Sequence, residues 1–204
     1  YSQDGDLMYA SKTRSGKWQY HKIGTCPPYI SGFFRLAMTS DRTIHVVYSN
    51  QDWSLTPKSR LYYGTLTPGR QWQSKIIAVS DSTFLFPTID VTSHDELWVA
   101  WIKASGLHGT VMIKNTRNGY WQAEKKVGGG YCHLDIAVDG SDNVHLCTYD
   151  VNLGIIYYRV INGIPGPPEQ VEPGWKGGQK EGLYTSIMTD KMNRPHISYV
   201  GQVN

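Results

Sequence analysis

Four positions about fifty residues apart carry side chains of differing chemistry, and each follows by two places an aromatic residue or a histidine. A guanidinium, a carboxylate and two hydroxyls beside rings can bind a polar ligand that also has an apolar face. Because the four side chains differ, they favour one asymmetric binding site over four equal sites. The four positions, and the residues two places before them, are Arg35, Thr88, Asp135 and Ser186, and Phe33, Phe86, His133 and Tyr184.

A second candidate for ligand binding is the pair Asp52 and Trp53, in the segment NQDWSLTPKS that begins at Asn50. A pyranose ring presents an apolar C–H face that stacks on an exposed tryptophan, and its hydroxyls suit planar polar side chains. The alternative is that Trp53 packs as an ordinary core residue. Both interpretations stay open at the level of the sequence.

An internal repeat positions these candidates. When His45, Trp98, His145 and His196 are taken as equivalent, the steps between them are 53, 47 and 51 residues. Counting from His196 to the C-terminus and on from Tyr1 to His45 gives 53 again. Each unit carries four short alternating strands, although a proline-rich stretch stands where the third unit should have its fourth strand. Four-stranded units of this length are typical of the blades of a β-propeller.

We therefore predict an all-β fold, a four-bladed β-propeller whose fourth blade is closed by strands from both termini. The last strand, RPHISYVG, would pair with the first, DLMYASK, which leaves no open sheet edge and leads us to expect a whole ring. The chain is predicted to be a single domain, 1–204. Its blades cover about 29–83, 84–130, 131–181, and 182–204 plus 1–28.

The repeat resembles the BNR/sialidase-like propeller repeats, which occur in many secreted bacterial proteins. The resemblance rests on Ser186 to Tyr199 continued by Asp6 to Trp18, and the Gly-x-Trp at Gly16 is what survives of the Asp box of that family. The resemblance implies a ligand on the face where the innermost strands begin, around the central channel. Such propellers include sialidases, polysaccharide lyases and lectins, so it also implies a secreted or extracellular protein with a carbohydrate ligand.

Several of the repeated residues also have structural explanations. Arg35 and Asp135, from opposite blades, would form an ion pair across the channel, since buried charges need partners. The histidine and tryptophan column is expected to lie inside the core, with each imidazole bonded to a backbone group or a tyrosine hydroxyl. A metal site is rejected there because the column is spread over four blades. Trp18, Trp72 and Trp121 are likewise interpreted as packing residues.

Composition excludes other classes of function. Only 18% of the residues are charged, the net charge is +3, and basic residues do not cluster, so we expect no nucleic-acid partner. No apolar run reaches the length of a membrane span, and no motif for a cofactor occurs. Cys26, Cys132 and Cys147 form no CxxC pair. We expect buried free thiols, with a disulfide between Cys132 and Cys147 as the alternative.

The predicted function is binding of a glycan or polysaccharide on the channel face. A polysaccharide-active enzyme is the first alternative, with His133 as base, Tyr184 as acid and Arg35 as carboxylate neutraliser in a lyase, or Asp135 as an acid in a glycosidase. A sialidase mechanism lacks its three arginines, because only Arg35 lies at the start of an inner strand. A protein-interaction scaffold is the second alternative. The oligomeric state and the ligand do not follow from the sequence.

Overall fold

The computed structural model describes residues 5–26, 34–50, 58–105, 108–173 and 184–200. The side chains of 23–26 and of Asn50 are not among those described. The described residues form eighteen β-strands and no helix, in agreement with the predicted all-β class. Within these ranges, therefore, nothing resembles a long apolar helix that could cross a membrane.

The strands form three larger sheets and two hairpins, and neighbouring strands within each are antiparallel. Sheet I contains β3 (Phe34–Met38), β4 (Ile44–Asn50), β5 (Ser59–Leu66) and β6 (Gln73–Ser80). Sheet II contains β7 (Thr83–Val91), β8 (Leu97–Ser105), β9 (His108–Arg117), β10 (Tyr120–Trp121) and β11 (Lys125–Gly129). Sheet III contains β12 (Cys132–Val138), β13 (Val144–Asp150), β14 (Gly154–Ile161), β15 (Ile164–Pro165) and β16 (Glu169–Glu172). The N-terminal hairpin contains β1 (Gly5–Lys12) and β2 (Trp18–Cys26), and the C-terminal hairpin contains β17 (Thr185–Thr189) and β18 (Pro195–Tyr199).

The sheets pack face to face in chain order. Alternating apolar residues give each strand a buried face, and these faces meet between sheets. Sheets I and II enclose a cluster around Trp101, whose ring meets that of Phe84 edge-on. Sheets II and III enclose a second cluster that includes Ile102 and Leu146. The first strands consequently lie side by side, with β3 beside β7, β7 beside β12, and β12 beside β17.

The two hairpins cover opposite ends of this stack. Leu7 of the N-terminal hairpin packs against Ile44 and Val46 on sheet I. Ile187 of the C-terminal hairpin packs against Cys147 on sheet III. In the described residues the two hairpins remain separate two-stranded sheets, with no ladder between β18 and β1. A fourth blade closed by both termini, and the blade boundaries, therefore stay predictions.

The expectation for the histidine column is confirmed in two sheets. The Tyr63 hydroxyl is hydrogen-bonded to His45 Nδ1 at 2.7 Å, and the Tyr157 hydroxyl to His145 Nδ1 at 2.7 Å. The fourth member, His196, lies with its side chain 58% exposed. The column thus has its expected core role in sheets I and III, where the tyrosine lies on the third strand of the same sheet.

Cys132 and Cys147 are buried free thiols. The disulfide alternative is wrong because the strand register places Tyr149 opposite Cys132, and Asp135 opposite Cys147. Burial raises the pKa of both thiols to about 12, so they stay protonated and unreactive at neutral pH.

The turns between the first two strands of each sheet make a repeated contact that the sequence did not reveal. Asp95 accepts a hydrogen bond from the Ser40 backbone N–H at 2.8 Å, and Asp142 accepts one from the Ser93 N–H at 2.7 Å. The side-chain carbonyl of Asn193 accepts one from the N–H of Gly140 in the same way. We call these three contacts the turn clamps, because each fastens one sheet or hairpin to the preceding one.

Candidate functional site

A pocket opens where the inner strands begin, and its volume is about 200 Å³. The walls come from β3, β7 and β12 and from the residues that lead into and begin β17. Four of the residues predicted from the repeat line it, together with three neighbours in sequence that were not predicted. The lining residues are Arg35, Phe86, Pro87, His133, Leu134, Tyr184 and Thr185.

Two β-bulges set the direction of Phe86 and His133. The register of β7 with β8 shifts between Leu85 and Thr88, and that of β12 with β13 shifts over the equivalent residues. Phe86 and His133 both lie in the left-handed region, with φ of 50° and 51°. That conformation is uncommon for residues other than glycine and is unfavourable for a bulky ring. Strained residues that recur beside a pocket are a physical indication of a functional site.

The three rings form a stack with His133 at its centre. The His133 ring centroid lies 4.7 Å from that of Phe86 and 4.5 Å from that of Tyr184, with interplanar angles of 44° and 46°. Thr185 fixes the backbone here, since its hydroxyl donates a hydrogen bond to the His133 carbonyl oxygen. Burial lowers the pKa of His133 to about 4, so the imidazole is neutral at pH 7. The stack therefore presents uncharged rings to the pocket.

Arg35 supplies the one positive charge among the residues that line the pocket. Its side chain is exposed, and its Nη1 donates to the carbonyl oxygen of Phe34 at 3.3 Å. No ion pair involves Arg35 within the described ranges, so the alternative of an Arg35–Asp135 pair across the channel is wrong. The Asp135 carboxylate instead accepts hydrogen bonds from hydroxyl and backbone groups.

Asp135 is held by hydroxyl and backbone donors from the strands on either side. The Thr88 hydroxyl donates to Oδ1 at 3.3 Å, while Oδ2 accepts from the Ser186 hydroxyl at 2.9 Å and the Ile187 N–H at 3.0 Å. These contacts satisfy the charge without a cation. Thr88, Asp135 and Ser186, all predicted to bind ligand, thus join β7, β12 and β17 and do not line the pocket. Their contact with a ligand stays a prediction.

A further carboxylate, Asp90, lies near Asp135 and was not singled out from the sequence. Its Oδ2 accepts the Val138 N–H at 2.7 Å, which ties β7 to β12. Burial raises the pKa of Asp90, and the negative charge of Asp135 raises it further. Asp90 occupies the same place in its strand as Ala37 and Ala137, so the repeat gave no signal for it.

The remaining predicted residues, Phe33, Asp52 and Trp53, lie outside the described residues. The proposal that Trp53 stacks on a sugar therefore stays a prediction. Among the residues that are described, histidine, cysteine and carboxylate side chains nowhere gather in threes as a metal site would require.

No protein family model matches the chain, and no curated protein matches its sequence. Among solved structures, a mutant of NanB sialidase from Streptococcus pneumoniae is similar to it, with a TM-score of 0.55 and 13% identity. That match covers 93% of this chain and 32% of the sialidase. A GH130 structure, from a family of mannoside phosphorylases said to contain hydrolases of β-1,2-mannosidic linkages, has a TM-score of 0.49 at 12% identity. That match covers 78% of this chain and 57% of the GH130 protein.

A mutant of AofleA from Arthrobotrys oligospora also has a TM-score of 0.49, with 13% identity over 98% of this chain and 74% of that one. At such identities the similarity is one of fold, and it rests on the sialidase, whose TM-score exceeds 0.5. The chain thus has a propeller-like all-β fold and spans about a third of that sialidase and somewhat more than half of the GH130 protein.

Proposed function

We propose that the chain is a carbohydrate-binding module whose ligand occupies the pocket formed by Arg35, Phe86, His133 and Tyr184. The observation that carries this proposal is the convergence of these side chains, from four separate strands or strand starts, on one cavity. Two of the four are held by left-handed bulges, which a purely structural strand does not require.

The chemistry of the pocket suits a sugar. Aromatic rings offer an apolar surface for the C–H face of a pyranose, and the Arg35 guanidinium offers several donors to hydroxyl or carboxylate oxygens. The volume of about 200 Å³ is below the range of about 300–1,000 Å³ typical of pockets for drug-sized ligands. A single sugar ring at the end or side of a glycan is therefore the ligand we infer.

Binding is favoured over catalysis by the groups that the pocket offers. No carboxylate belongs to its described lining, although hydrolysis by two carboxyl groups needs both beside the bond. With a pKa of about 4, His133 is a weak base at neutral pH, which disfavours it as the base of a lyase. The oxygens of Asp135 already accept hydrogen bonds from three donors.

The proposal includes the setting of the pocket. We infer a ring of four blades that brings the start of β17 next to β3, since Tyr184 and Arg35 line the same cavity. We also infer a secreted protein, on the resemblance of the repeat to BNR/sialidase-like propellers. Neither inference alters the residues expected to touch the sugar.

The test is a glycan-array screen of the purified protein, followed by calorimetric titration of each hit against Arg35→Ala and Tyr184→Ala. Arg117→Ala is the matched control, because Arg117 is an exposed arginine that does not line the pocket. We expect each pocket variant to weaken binding at least about tenfold, the loss of one or more charge-assisted or stacking contacts. The control should bind as the parent does.

Two other results would redirect the proposal. New reducing ends or unsaturated products from any bound glycan would establish the enzyme alternative and bring His133 and Tyr184 forward as catalytic candidates. An array without hits would leave a protein-interaction scaffold as the alternative, with its partner on another surface.

A further inference from the structure

Tyr184 lies directly before β17, so the position of its ring depends on how β17 is held. Among the described strands, β17 forms a backbone ladder with β18 alone. The contacts that fix β17 against sheet III are therefore made by side chains and by single backbone groups. Tyr184 itself is 67% exposed, which leaves it few contacts of its own. Its place beside the His133 ring consequently depends on residues outside the pocket.

Asp135 makes two of the hydrogen bonds that fasten β17. Its Oδ2 accepts from the Ser186 hydroxyl at 2.9 Å and from the Ile187 N–H at 3.0 Å. Thr185 and Thr189 also donate to β12 through their hydroxyls, but to backbone carbonyl oxygens. Hydrogen bonds to an ionised carboxylate are roughly twice as strong as those between neutral groups. Asp135 therefore supplies the stronger contacts.

The same carboxylate also bonds to the strand on its other side. Its Oδ1 accepts from the Thr88 hydroxyl of β7 at 3.3 Å. Asp135 and the two residues whose hydroxyls bond to it each stand two places after one ring of the stack. The pairs of ring and bonded residue are Phe86 and Thr88, His133 and Asp135, and Tyr184 and Ser186. One set of hydrogen bonds thus joins the three strands just after the residues that form the stack.

A β-bulge keeps the Asp135 carboxylate out of the pocket. Residues two places apart point to the same face of a regular strand, but a bulge breaks this alternation. The register of β12 with β13 shifts between Cys132 and Asp135, and the His133 ring lines the pocket while Asp135 does not. Asp135 can therefore act on the stack without occupying the space that a sugar would fill.

We propose that Asp135 is a positioning residue of the binding pocket, which holds Tyr184 beside the His133 ring through β17 and does not itself touch the sugar. The inference rests on the proposed function, because it assigns Asp135 a task in that pocket. Without the carboxylate, Ser186 loses its acceptor and the Ile187 N–H is left unpaired, so the start of β17 moves away from β12. Tyr184 moves with it, and the stack opens.

Other contacts should keep the C-terminal hairpin attached when the Asp135 carboxylate is removed. Ile187 is 6% exposed and packs against Cys147 on sheet III. The turn clamp between Asn193 and Gly140 lies in the turn that follows β17. We therefore expect a local displacement at Tyr184 and a protein that remains folded.

The test compares three variants of the full chain. Asp135→Ala removes the acceptor, whereas Asp135→Asn keeps an oxygen that can accept from β17. Asp90→Ala is the matched control, because Asp90 is also a partly buried carboxylate of an inner strand. Its oxygens accept from the N–H groups of Val91 and Val138, so it links β7 to β12.

The first measurement needs no ligand. Burial lowers the pKa of His133 to about 4, and NMR titration of the histidine ring protons follows this pKa, with His133→Phe to identify the signal. We expect Asp135→Ala to raise the pKa towards 6.5, because the opened stack exposes the imidazole to water. Asp135→Asn and Asp90→Ala should leave the pKa of His133 close to that of the parent.

The direction of this shift separates a displacement from a change of charge. Loss of a nearby negative charge disfavours the imidazolium, so by itself it lowers the pKa of His133. Arg35 on β3 and Asp90 on β7 are the other charged side chains of the described inner strands, and both remain in Asp135→Ala. An unchanged or lowered pKa of His133 in folded Asp135→Ala would overturn the proposal.

The second measurement is calorimetric titration with the glycan that the array identifies. Asp135→Ala should weaken binding at least about tenfold, as Tyr184→Ala does. In the double variant the two losses should not add, since each substitution removes the same contact with the sugar. Additive losses would show that Asp135 binds the sugar itself, and an affinity like that of the parent would show that Asp135 does not position the pocket. Either result overturns the proposal.

The two measurements separate this inference from the proposed function. An array without hits would contradict the proposed function, while the titration of His133 would still test whether Asp135 holds Tyr184 in place. Ser186→Ala serves if Asp135→Ala does not fold, because Ser186 is exposed and its hydroxyl is one of the two donors to Oδ2. We expect a smaller rise in the pKa of His133 from Ser186→Ala, and no rise would overturn the proposal.

Discussion

Sheet III, sheet I and the C-terminal hairpin use the same repeat but bury equivalent residues to different extents. Ile136 and His145, in sheet III, are 6% and 1% exposed. Their counterparts, Leu36 in sheet I and His196 in the C-terminal hairpin, are largely exposed. Equivalent residues are therefore buried only where the strands that pack on them in the other repeats are in contact with them. Contacts between sheets therefore contribute more to the free energy of folding than contacts within any single sheet.

The largest contrast is expected between Trp101 and Trp18. Trp101 is fully buried between sheets I and II, so Trp101→Ala should lower the free energy of unfolding by about 3–5 kcal/mol. Trp18→Ala should cost less than about 1 kcal/mol, because the ring already faces solvent. Urea denaturation of both variants measures the difference. Similar losses would show that Trp18 is packed in solution.

Trp101→Phe is the control for this contrast. The Trp101 Nε1 is buried and has no hydrogen-bond partner among the described residues. Phenylalanine keeps much of the apolar contact and removes the unpaired donor, so it should cost distinctly less than alanine. A loss as large as that of Trp101→Ala would mean that ring size, and not burial as such, decides the stability here.

The histidine column offers the next contrast. His145→Ala would remove the ring that bonds both the buried Asp139 carboxylate and the Tyr157 hydroxyl. We expect the free energy of unfolding to fall by about 1–3 kcal/mol. His196→Ala should cost less, because water replaces its exposed contact to Asp190. Thermal melts of the two variants compare them. A loss for His196→Ala as large as that for His145→Ala would show that the His196 ring is packed in solution.

The turn clamps give a smaller contrast. Asp142→Ala removes the acceptor for Ser93 and should cost about 1–2 kcal/mol. Asp142→Asn keeps an acceptor and is expected to lose much less. Arg42 stands at the equivalent turn position of sheet I with a similar φ of 67°, and no turn clamp forms there among the described residues. Arg42→Ala should therefore leave the stability nearly unchanged, which separates the clamp from any backbone effect.

The sequence predicted the sheets well because hydrophobic alternation and the internal repeat indicate the same strands. The spacing located the starts of the inner strands, and Arg35, Phe86, His133 and Tyr184 all lie at the pocket. Sequence reasoning did not foresee that Thr88, Asp135 and Ser186 would bond to one another. Each of these side chains can hydrogen-bond either to a ligand or to a neighbouring strand. Which of the two it does depends on distances across three strands, which the sequence does not contain.

The bulges and turn clamps were missed for a different reason. Glycine is the residue that usually indicates a left-handed conformation, but here Phe86 and His133 adopt it. Their residue types therefore did not predict the bulges. The clamps depend on Asp95, Asp142 and Asn193, which look like ordinary turn residues. Their second contact, to the preceding turn, exists only once the sheets are stacked.

The smallest expected effect concerns the pH dependence of the pocket. The pKa of His133 is lowered by burial to about 4, below its usual value of 6.5. Between these two values the unfolded chain binds more protons than the folded one, so stability is lost as the pH falls from about 6.5 to about 4. Because His133 is only partly buried, we expect less than about 1 kcal/mol from it. His45, whose pKa burial also lowers, adds a loss of the same sign.

His133→Phe separates the two contributions. It keeps a ring between Phe86 and Tyr184 but cannot take up a proton, so the loss of stability between pH 6.5 and 4 should become smaller than in the parent. The slope that remains includes His45, on β4 of sheet I, and Asp90, whose raised pKa contributes with the opposite sign. An unchanged slope would mean that His133 is solvated in the folded protein, and that the ring stack is open to water where the structure shows it closed.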